Sequence, residues 1–388
     1  MARVQNVAVI GAGPGGLFAA LALRRIGLRV RVFERRAQLL QPGAGLSLWA
    51  NALRALDALG LAAGVIERAA VVPAMKLQNE RGRALSVVSL APLERALGMP
   101  TVCMLRTDLV QALAEPLGAD GIAFECAVER VEPDADGATI HLRGGRAERA
   151  DLVVGADGLH SAVRDAVLSP GAGAPEYAGR SSWRGVAEGC ADALPDGIAL
   201  ETLGPGRRVG MFTVGGGRVY WYLARNGPTA PPGAGPSRDE ALGLVEGWPG
   251  AVREVIVRTP LEQMLRTDIV DRPPAARWHR GRMVLLGDAV HPMTPDLGQG
   301  ACLAIEDGLS LARHLRDAAS VESALAGYEA ERAPRARALR RRSRIIGATR
   351  QLGNPVLRAV RDLALRILPS RLALAQLRPA VAYAPPPL

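Results

Sequence analysis

The first apolar run of the chain, Val7-Ala8-Val9-Ile10, is continuous rather than alternating, the pattern of a strand buried on both faces of a parallel sheet. It leads through Gly11-Ala12-Gly13-Pro14-Gly15-Gly16 into an Ala/Leu-rich segment that predicts a helix to about Ile26. A second apolar segment, Val30 to Phe33, ends on Glu34, so that strand, turn, helix and strand follow one another as a βαβ unit. Two further buried-strand patterns lie far downstream. Residues 151–165 run from apolar to polar turn to helix start, and Met283 to Leu286 precede a Gly/Pro loop that opens a helix from Ala301 to His314. Between these blocks, about 73–99 and 176–272 alternate and carry aromatics, which predicts an inserted antiparallel sheet. Its clearest hairpin is Arg207 to Val214, the turn Gly215-Gly216-Gly217, then Arg218 to Ala224. A register centred on Gly216 puts Arg208, Phe212, Tyr220 and Tyr222 on one face, and Met211 and Trp221 on the other. The proline-rich stretch from Gly227 to Pro236, Pro232 included, predicts a loop.

Composition sets the scale of this pattern. With 388 residues and 48% hydrophobic content, the chain is long enough for two intertwined domains and an extension. No run of some 20 apolar residues is present, and Met1-Ala2-Arg3 leads straight toward Val7 without a signal-peptide core, so a cytoplasmic protein is expected. Cys103, Cys126, Cys190 and Cys302 show no CxxC spacing, which argues against a redox disulfide and implies that any electron carrier is imported; no metal site is read either. The net charge of +10 is local: residues 331–374 hold twelve Arg and two acids, Glu331 and Asp362. The rest of the chain is formally neutral, which argues against a nucleic-acid enzyme. From Pro355 onward, Val356, Val360, Leu363 and Ile367, joined by Leu357, Ala364 and Leu368, recur at helical spacing between arginines. The expected arrangement is a helix whose apolar stripe packs on the body of the protein with its arginines exposed; the rival is an Arg-rich extension that leans on an anionic membrane surface or an acidic partner.

The βαβ unit carries the first chemistry. Gly11 permits the tight turn, Gly13 lets backbone N–H groups approach a pyrophosphate at the positive helix end, and Gly16 allows close helix–strand packing. Glu34, placed 23 residues beyond Gly11, is suited to the adenosine ribose hydroxyls. A dinucleotide site follows, with FAD and NAD both open at this point. Downstream, Asp157 sits at the C-terminal edge of an apolar strand, where ligands of open α/β sheets collect. Asp288 ends another such strand and is suited to ribityl hydroxyls, while Gly298, Gly300 and Ala301 start a helix able to stabilise the negative charge of a reduced flavin.

These three segments, in this order and spacing, resemble the single-component aromatic hydroxylases among the group A flavoprotein monooxygenases, the para-hydroxybenzoate hydroxylase fold, over roughly residues 5–345. The loop Gly287-Asp288 with Pro295-x-x-Gly298-Gln299-Gly300 is the most specific part. Gly43-Ala44-Gly45-Leu46 is similar to the family's flavin-edge loop, and Arg106-Thr107-Asp108-Leu109 to its Arg-x-x-Leu segment. The resemblance implies that Gly45 and Arg106 touch FAD, that Asp157 serves both FAD and the incoming nicotinamide, and that Pro295 lines the substrate side of the flavin. It implies an α/β fold: a Rossmann-like FAD domain (1–72, 100–175 and 273–345) interleaved with an antiparallel-sheet substrate domain (73–99 and 176–272), plus a C-terminal helical extension (346–388).

For chemistry, the expectation is an FAD-dependent monooxygenase that uses NADH or NADPH and O2 to hydroxylate a small, electron-rich substrate through a flavin C4a-hydroperoxide. With no second GxGxxG, the nicotinamide binds transiently across the flavin domain. The substrate pocket is expected to be apolar with few charges; either face of the hairpin, the one with Tyr220 or the one with Trp221, could roof it, Tyr220 being the candidate taken, and Arg184 or Arg208 would bind a phenolate or carboxylate. His291 is read as packing rather than as a base. The alternatives are an epoxidase or dehydrogenase on the same scaffold, or a non-catalytic flavin sensor; a halogenase lacks its Trp-x-Trp-x-Ile-Pro segment here. A monomer or homodimer is expected.

Overall fold

The Val7 to Ile10 run forms the strand Asn6–Ile10, which lies parallel to both Leu152–Gly155 and Arg29–Phe33. The computed structural model describes residues 4–39, 44–169, 172–194, 197–231, 233–384, 386 and 388. Met1, Ala2, Arg3, Gly43 and Pro232 lie outside the described residues. Strand Met283–Leu285 adds on beside Leu152–Gly155 and Ile122–Ala123 beside Arg29–Phe33, both in parallel, while the short edge His279–Arg280 runs antiparallel. Val7, Ala8, Val9 and Ile10 are all buried, so successive residues point into apolar layers on opposite faces. That is why the sequence shows a run and no alternation.

Helices Pro14–Arg25 and Gly300–Asp317 pack against each other through small residues. A Cβ at Gly15 would lie 2.7 Å from Ala304 Cβ, and one at Gly308 would lie 2.9 Å from Ala19 Cα. The pairing of 15 with 304 and 19 with 308 makes the two helices parallel. Both N-termini therefore open at the same edge of the sheet, the edge where the strand Asn6–Ile10 ends.

The larger sheet has seven strands in the order Leu265–Asp271, Glu176–Ala187, Val219–Asn226, Arg207–Thr213, Ala199–Gly204, Ala74–Asn79 and Ala84–Ser89. Phe212 pairs with Tyr220 and Met211 with Trp221, the register expected from a turn centred on Gly216. The antiparallel expectation needs one correction: Ala199–Gly204 runs parallel to Ala74–Asn79. Those strands come from separate chain segments, so no hairpin dictates their relative direction. One face of this sheet, with Trp183, Met211 and Trp221, packs with Ala241 and Val252 of two short helices into a core of its own. The opposite face, with Phe212, Tyr220 and Tyr222, joins the core built around the parallel sheet.

The boundary drawn at 345/346 falls inside the continuous helix Val321–Arg350, which opens with a reciprocal Ser320/Ser323 cap. Beyond it, helix Pro355–Ile367 lies against the sheet-edge strand Ala84–Ser89 and reverses the expected orientation. Arg358 pairs with Glu80 at 2.5 Å, and Arg361 donates to the Arg350 carbonyl at 3.2 Å, so the arginine face is the one turned inward. Val356, Leu357, Val360, Leu363 and Ile367 are 53–70% exposed. The physical reason is that the sheet edge offers Glu80 and a helix-end carbonyl, which match guanidinium donors better than aliphatic side chains. The last helix, Ser370–Val381, is anchored at its end by buried Ala380 and Val381 and by Arg335, which donates to the Ala380 carbonyl at 2.8 Å. Among the described residues, no helix is long and apolar enough to cross a membrane.

Candidate active site

At the end of strand Asn6–Ile10 the chain turns through Gly11, whose φ of +105° excludes a side chain at low cost. A Cβ at Gly16 would sit 2.0 Å from the Gly11 carbonyl oxygen, so turn and helix touch backbone to backbone. Gly13 caps the helix without a side-chain acceptor and no acid lies in the first turn, leaving its first N–H groups free for an anion. Glu34 is buried beside this turn: one carboxylate oxygen accepts the Ala12 N–H at 3.0 Å and the other the Arg36 N–H at 3.1 Å. Arg106 is exposed, with Nη2 lying 3.6 Å from where a Cβ on Gly13 would be, and it has no ion-pair partner among the described residues. Ala12, Gly13, Glu34, Arg36 and Arg106 thus line one cleft, with an acid suited to ribose and a cation suited to pyrophosphate.

The other predicted residues border the same edge. A Cβ at Gly11 would lie 3.0 Å from Asp157 Cα, so Asp157 is next to the glycine turn. Burial dominates its environment and pushes its carboxyl above the ordinary range, against hydrogen bonds from Ser161 and from the N–H groups of Ala162 and Val163. Its Oδ2 accepts the Ala162 N–H at 2.8 Å, while Oδ1 is shielded from water and has no partner among the described residues. An acceptor left in that state costs about 1–3 kcal/mol, so it fits a ligand hydroxyl or amide. Asp288 is exposed, and its Oδ1 lies 4.0 Å from where a Cβ at Gly300 would point. Gln299 caps helix Gly300–Asp317 without a side-chain acceptor, so the N–H groups at Gly300 and Ala301 also open toward this edge.

Two segments that are distant in sequence complete the cleft. Strand Gly45–Leu48 pairs with Val102–Leu105, and the Arg106 N–H donates to the Ala44 carbonyl at 2.9 Å, which ties the Gly45 loop to Arg106. Gly298, at φ +63°, brings its backbone so close to this strand that a Cβ would lie 2.6 Å from Ser47 Oγ. Pro295 is exposed at the start of the turn Pro295–Leu297 on the same loop.

Above that loop lies the aromatic face of the large sheet. A Cβ at Gly45 would sit 2.5 Å from Tyr220 Cγ, so the ring rests on the cleft's rim. Phe212 lies 6.2 Å from the Tyr220 ring and 6.1 Å from that of Tyr222, nearly parallel to the first. Arg184 is half-buried and donates to Thr267 Oγ1 at 2.7 Å; burial raises the pKa of the Tyr220 phenol, against the opposing pull of the neighbouring Arg184 guanidinium.

Arg208 is placed otherwise than expected. It is buried, paired with Asp296 and, at 3.1 Å, with Glu201, so its charge is neutralised inside the protein. Asp296 also receives Arg180, and Glu201 receives Arg350 at 2.7 Å and the Tyr222 hydroxyl at 2.7 Å. The Tyr222 end of the aromatic face thus adjoins an ionic network of three arginines and two acids, charge that the expectation of an apolar surrounding with few charges did not include. Asp296, Glu201 and Arg180 had no local signal, since their partners come from other segments, Arg180 and Asp296 being 116 positions apart. His291 is buried, with Nε2 2.6 Å from Asp307 Oδ2 and its ring against Trp278.

The uncapped helix starts, the unpartnered Asp157 Oδ1 and the exposed Arg106 together form a set of donors and acceptors that fits a dinucleotide cofactor. The sequence profile described as the FAD binding domain matches residues 4–343, and the chain belongs to that family and is an FAD-dependent monooxygenase. It is 37% identical to the aurachin C monooxygenase/isomerase of Stigmatella aurantiaca over 94% of each chain. It is also 37% identical to the 3-amino-4-hydroxybenzoate 2-monooxygenase of Streptomyces cremeus, over 88% of this chain and 86% of that one. The fold superposes on Klebsiella pneumoniae HpxO complexed with FAD and uric acid at a TM-score of 0.90, with 31% identity over 97% of this chain and 96% of the other.

Proposed function

We propose that this flavoprotein uses NADH or NADPH and O2 to hydroxylate an electron-rich aromatic or heteroaromatic ring held between the flavin and the Phe212, Tyr220 and Tyr222 face. The observation that carries this reading is the seating of Tyr220 on Gly45, which sets an aromatic wall against the flavin-side loop. Uric acid and 3-amino-4-hydroxybenzoate, bound or named in the similar proteins, are both nitrogen-bearing electron-rich rings, and this supports the substrate class.

When bound, FAD supplies hydride acceptance from the nicotinamide and activation of O2. The chain does the rest. Glu34, Arg106 and the Gly13 helix start hold the adenosine and pyrophosphate, and Asp288 the ribityl chain. The uncapped N–H groups at Gly300 and Ala301 stabilise negative charge on the ring system. Phe212, Tyr220 and Tyr222 stack on the substrate and exclude water. Arg184, beside the Tyr220 hydroxyl, favours the anionic form of a substrate oxygen and so raises electron density in its ring. Arg208 acts through Asp296, fixing the loop that carries Pro295 and Gly298, and is a positioning residue. Asp157 then faces both FAD and the incoming nicotinamide. The division into a nucleotide unit (1–72, 100–175 and 273–345) and a substrate unit (73–99 and 176–272) belongs to this proposal, as does a cytoplasmic location.

The test is NAD(P)H oxidation by the FAD-loaded enzyme against urate, aminohydroxybenzoates and other hydroxylated N-heterocycles. At least one ring is expected to stimulate the rate and to emerge hydroxylated. Arg184→Met should raise KM for the anionic form of that ring more than for a neutral analogue. Oxidation indifferent to every ring would contradict the proposal, and an epoxide or a desaturated product would redirect it to the sister chemistries.

A further inference from the structure

Helix Pro355–Ile367 is amphipathic and sits the wrong way round for a helix of a water-soluble surface. Its inward side carries Arg358, paired with Glu80, and Arg361, paired with Asp362 at 2.7 Å. Val356, Val360, Leu363 and Ile367 recur every three or four residues on the opposite side, with exposures of 59–70%. Thirteen residues at 1.5 Å each make an apolar ridge about 20 Å long. The ridge is continued by Val87 and Leu372, 51% and 47% exposed, where Ser370 Oγ meets the Val87 carbonyl at 3.4 Å. A patch of this kind is uncommon on a free surface.

Charge indicates what covers it. Arg366 lies one residue before Ile367 and three after Leu363, at the margin of the ridge, and Arg371 and Arg378 follow on the next helix. All three are exposed, and none has an acidic partner among the described residues. The one acid between 355 and 381, Asp362, is held by Arg361. A second copy docking on this face would bring unpaired arginines of both chains together with no acid to neutralise them. A surface that is apolar beneath and anionic at its rim matches the ridge and its arginines together.

We propose that helix Pro355–Ile367 lies in the plane of an anionic lipid bilayer, its ridge entering the headgroup–acyl boundary and Arg366, Arg371 and Arg378 meeting lipid phosphates. No span is required, and the helix faces away from the sheet it rests on. The arrangement seats the enzyme on the membrane by the edge of its larger sheet.

The test is flotation of the FAD-loaded full chain with vesicles of phosphatidylcholine containing phosphatidylglycerol, beside pure phosphatidylcholine, at low and physiological salt. Binding is expected to the anionic vesicles and to weaken as salt screens the contact. The double substitution Val360→Asp/Leu363→Asp should abolish it while FAD content and thermal unfolding stay unchanged, since both side chains are exposed. Arg366→Gln/Arg371→Gln should weaken it on the order of tenfold or more. The proposal is overturned if the intact chain ignores anionic vesicles, if it binds both vesicle types equally, or if the Asp variant still floats. It is overturned equally if the chain sediments as a dimer that the Asp variant dissociates, which would put a second copy on the ridge.

Discussion

Arg208 and Asp296 form a fully buried ion pair across 88 residues of sequence, joining the large sheet to the loop that carries Pro295 and Gly298. Glu201 on one side and Arg180 on the other extend the pair into a network that closes only when both sheets are in place.

Asp296→Ala leaves Arg180 and Arg208 buried without their shared carboxylate. Removing one partner of a buried pair costs about 3–5 kcal/mol. Urea denaturation of the FAD-free protein is expected to show a loss of that order; a change below about 1 kcal/mol, the value typical of surface pairs, would mean the network is hydrated.

Asp288→Ala acts on the cofactor and spares the fold. The residue is exposed, and a charge-assisted hydrogen bond to a ribityl hydroxyl contributes about 1.5–3 kcal/mol. Fluorescence titration should therefore show FAD affinity reduced roughly 10- to 150-fold, with the unfolding of the FAD-free protein unaltered. Equal affinity in variant and parent would remove Asp288 from the site.

Gly16→Ala is expected to do both kinds of damage. The added Cβ would meet the Gly11 carbonyl oxygen at 2.0 Å, a backbone atom that can yield only if the turn itself shifts. The purified variant should carry little or no FAD by absorbance at its visible band, whereas full occupancy would show that the turn is looser than described.

The His291–Asp307 pair gives a pH dependence. Burial alone would lower the histidine's pKa, but Asp307 reverses this and holds it above its ordinary 6.5. A raised folded-state pKa contributes stability that is complete below 6.5 and is lost as pH rises through the folded value. Asp307 is held at about 2, so its contribution is present above 3.8 and is lost as pH falls toward 2. Thermal unfolding of the FAD-loaded enzyme should thus decline above pH 6.5, and His291→Gln should flatten that decline. A parallel slope in the variant would locate the effect elsewhere.

The sequence made the nucleotide half legible because its signals are local. Gly11, Gly13 and Gly16 announce a turn, Glu34 and Asp157 follow strand ends, and the spacing of Gly298 and Gly300 announces a helix start, each a signal contained within a few residues. The hairpin register was legible for the same reason, since one glycine turn fixes every pair from Phe212 with Tyr220 outward. Arg208 was assigned to the right face, but its pairing with Asp296 and Glu201 was not legible, because pattern shows which way a side chain points and not the charge it meets there. Likewise, the period of Val356, Val360, Leu363 and Ile367 identified an amphipathic helix, but only Glu80 and the Arg350 carbonyl decided which face turned inward.

The most direct measurement of the central claim is the fate of oxygen from 18O2 in a turnover of the FAD-loaded enzyme with NAD(P)H and the ring that best stimulates its oxidation. The account predicts one 18O atom in each product molecule, the other leaving as water, with product formed in step with NAD(P)H consumed. Product oxygen drawn from H2 18O under unlabelled O2, or NAD(P)H consumption that yields only hydrogen peroxide with every ring, would contradict it.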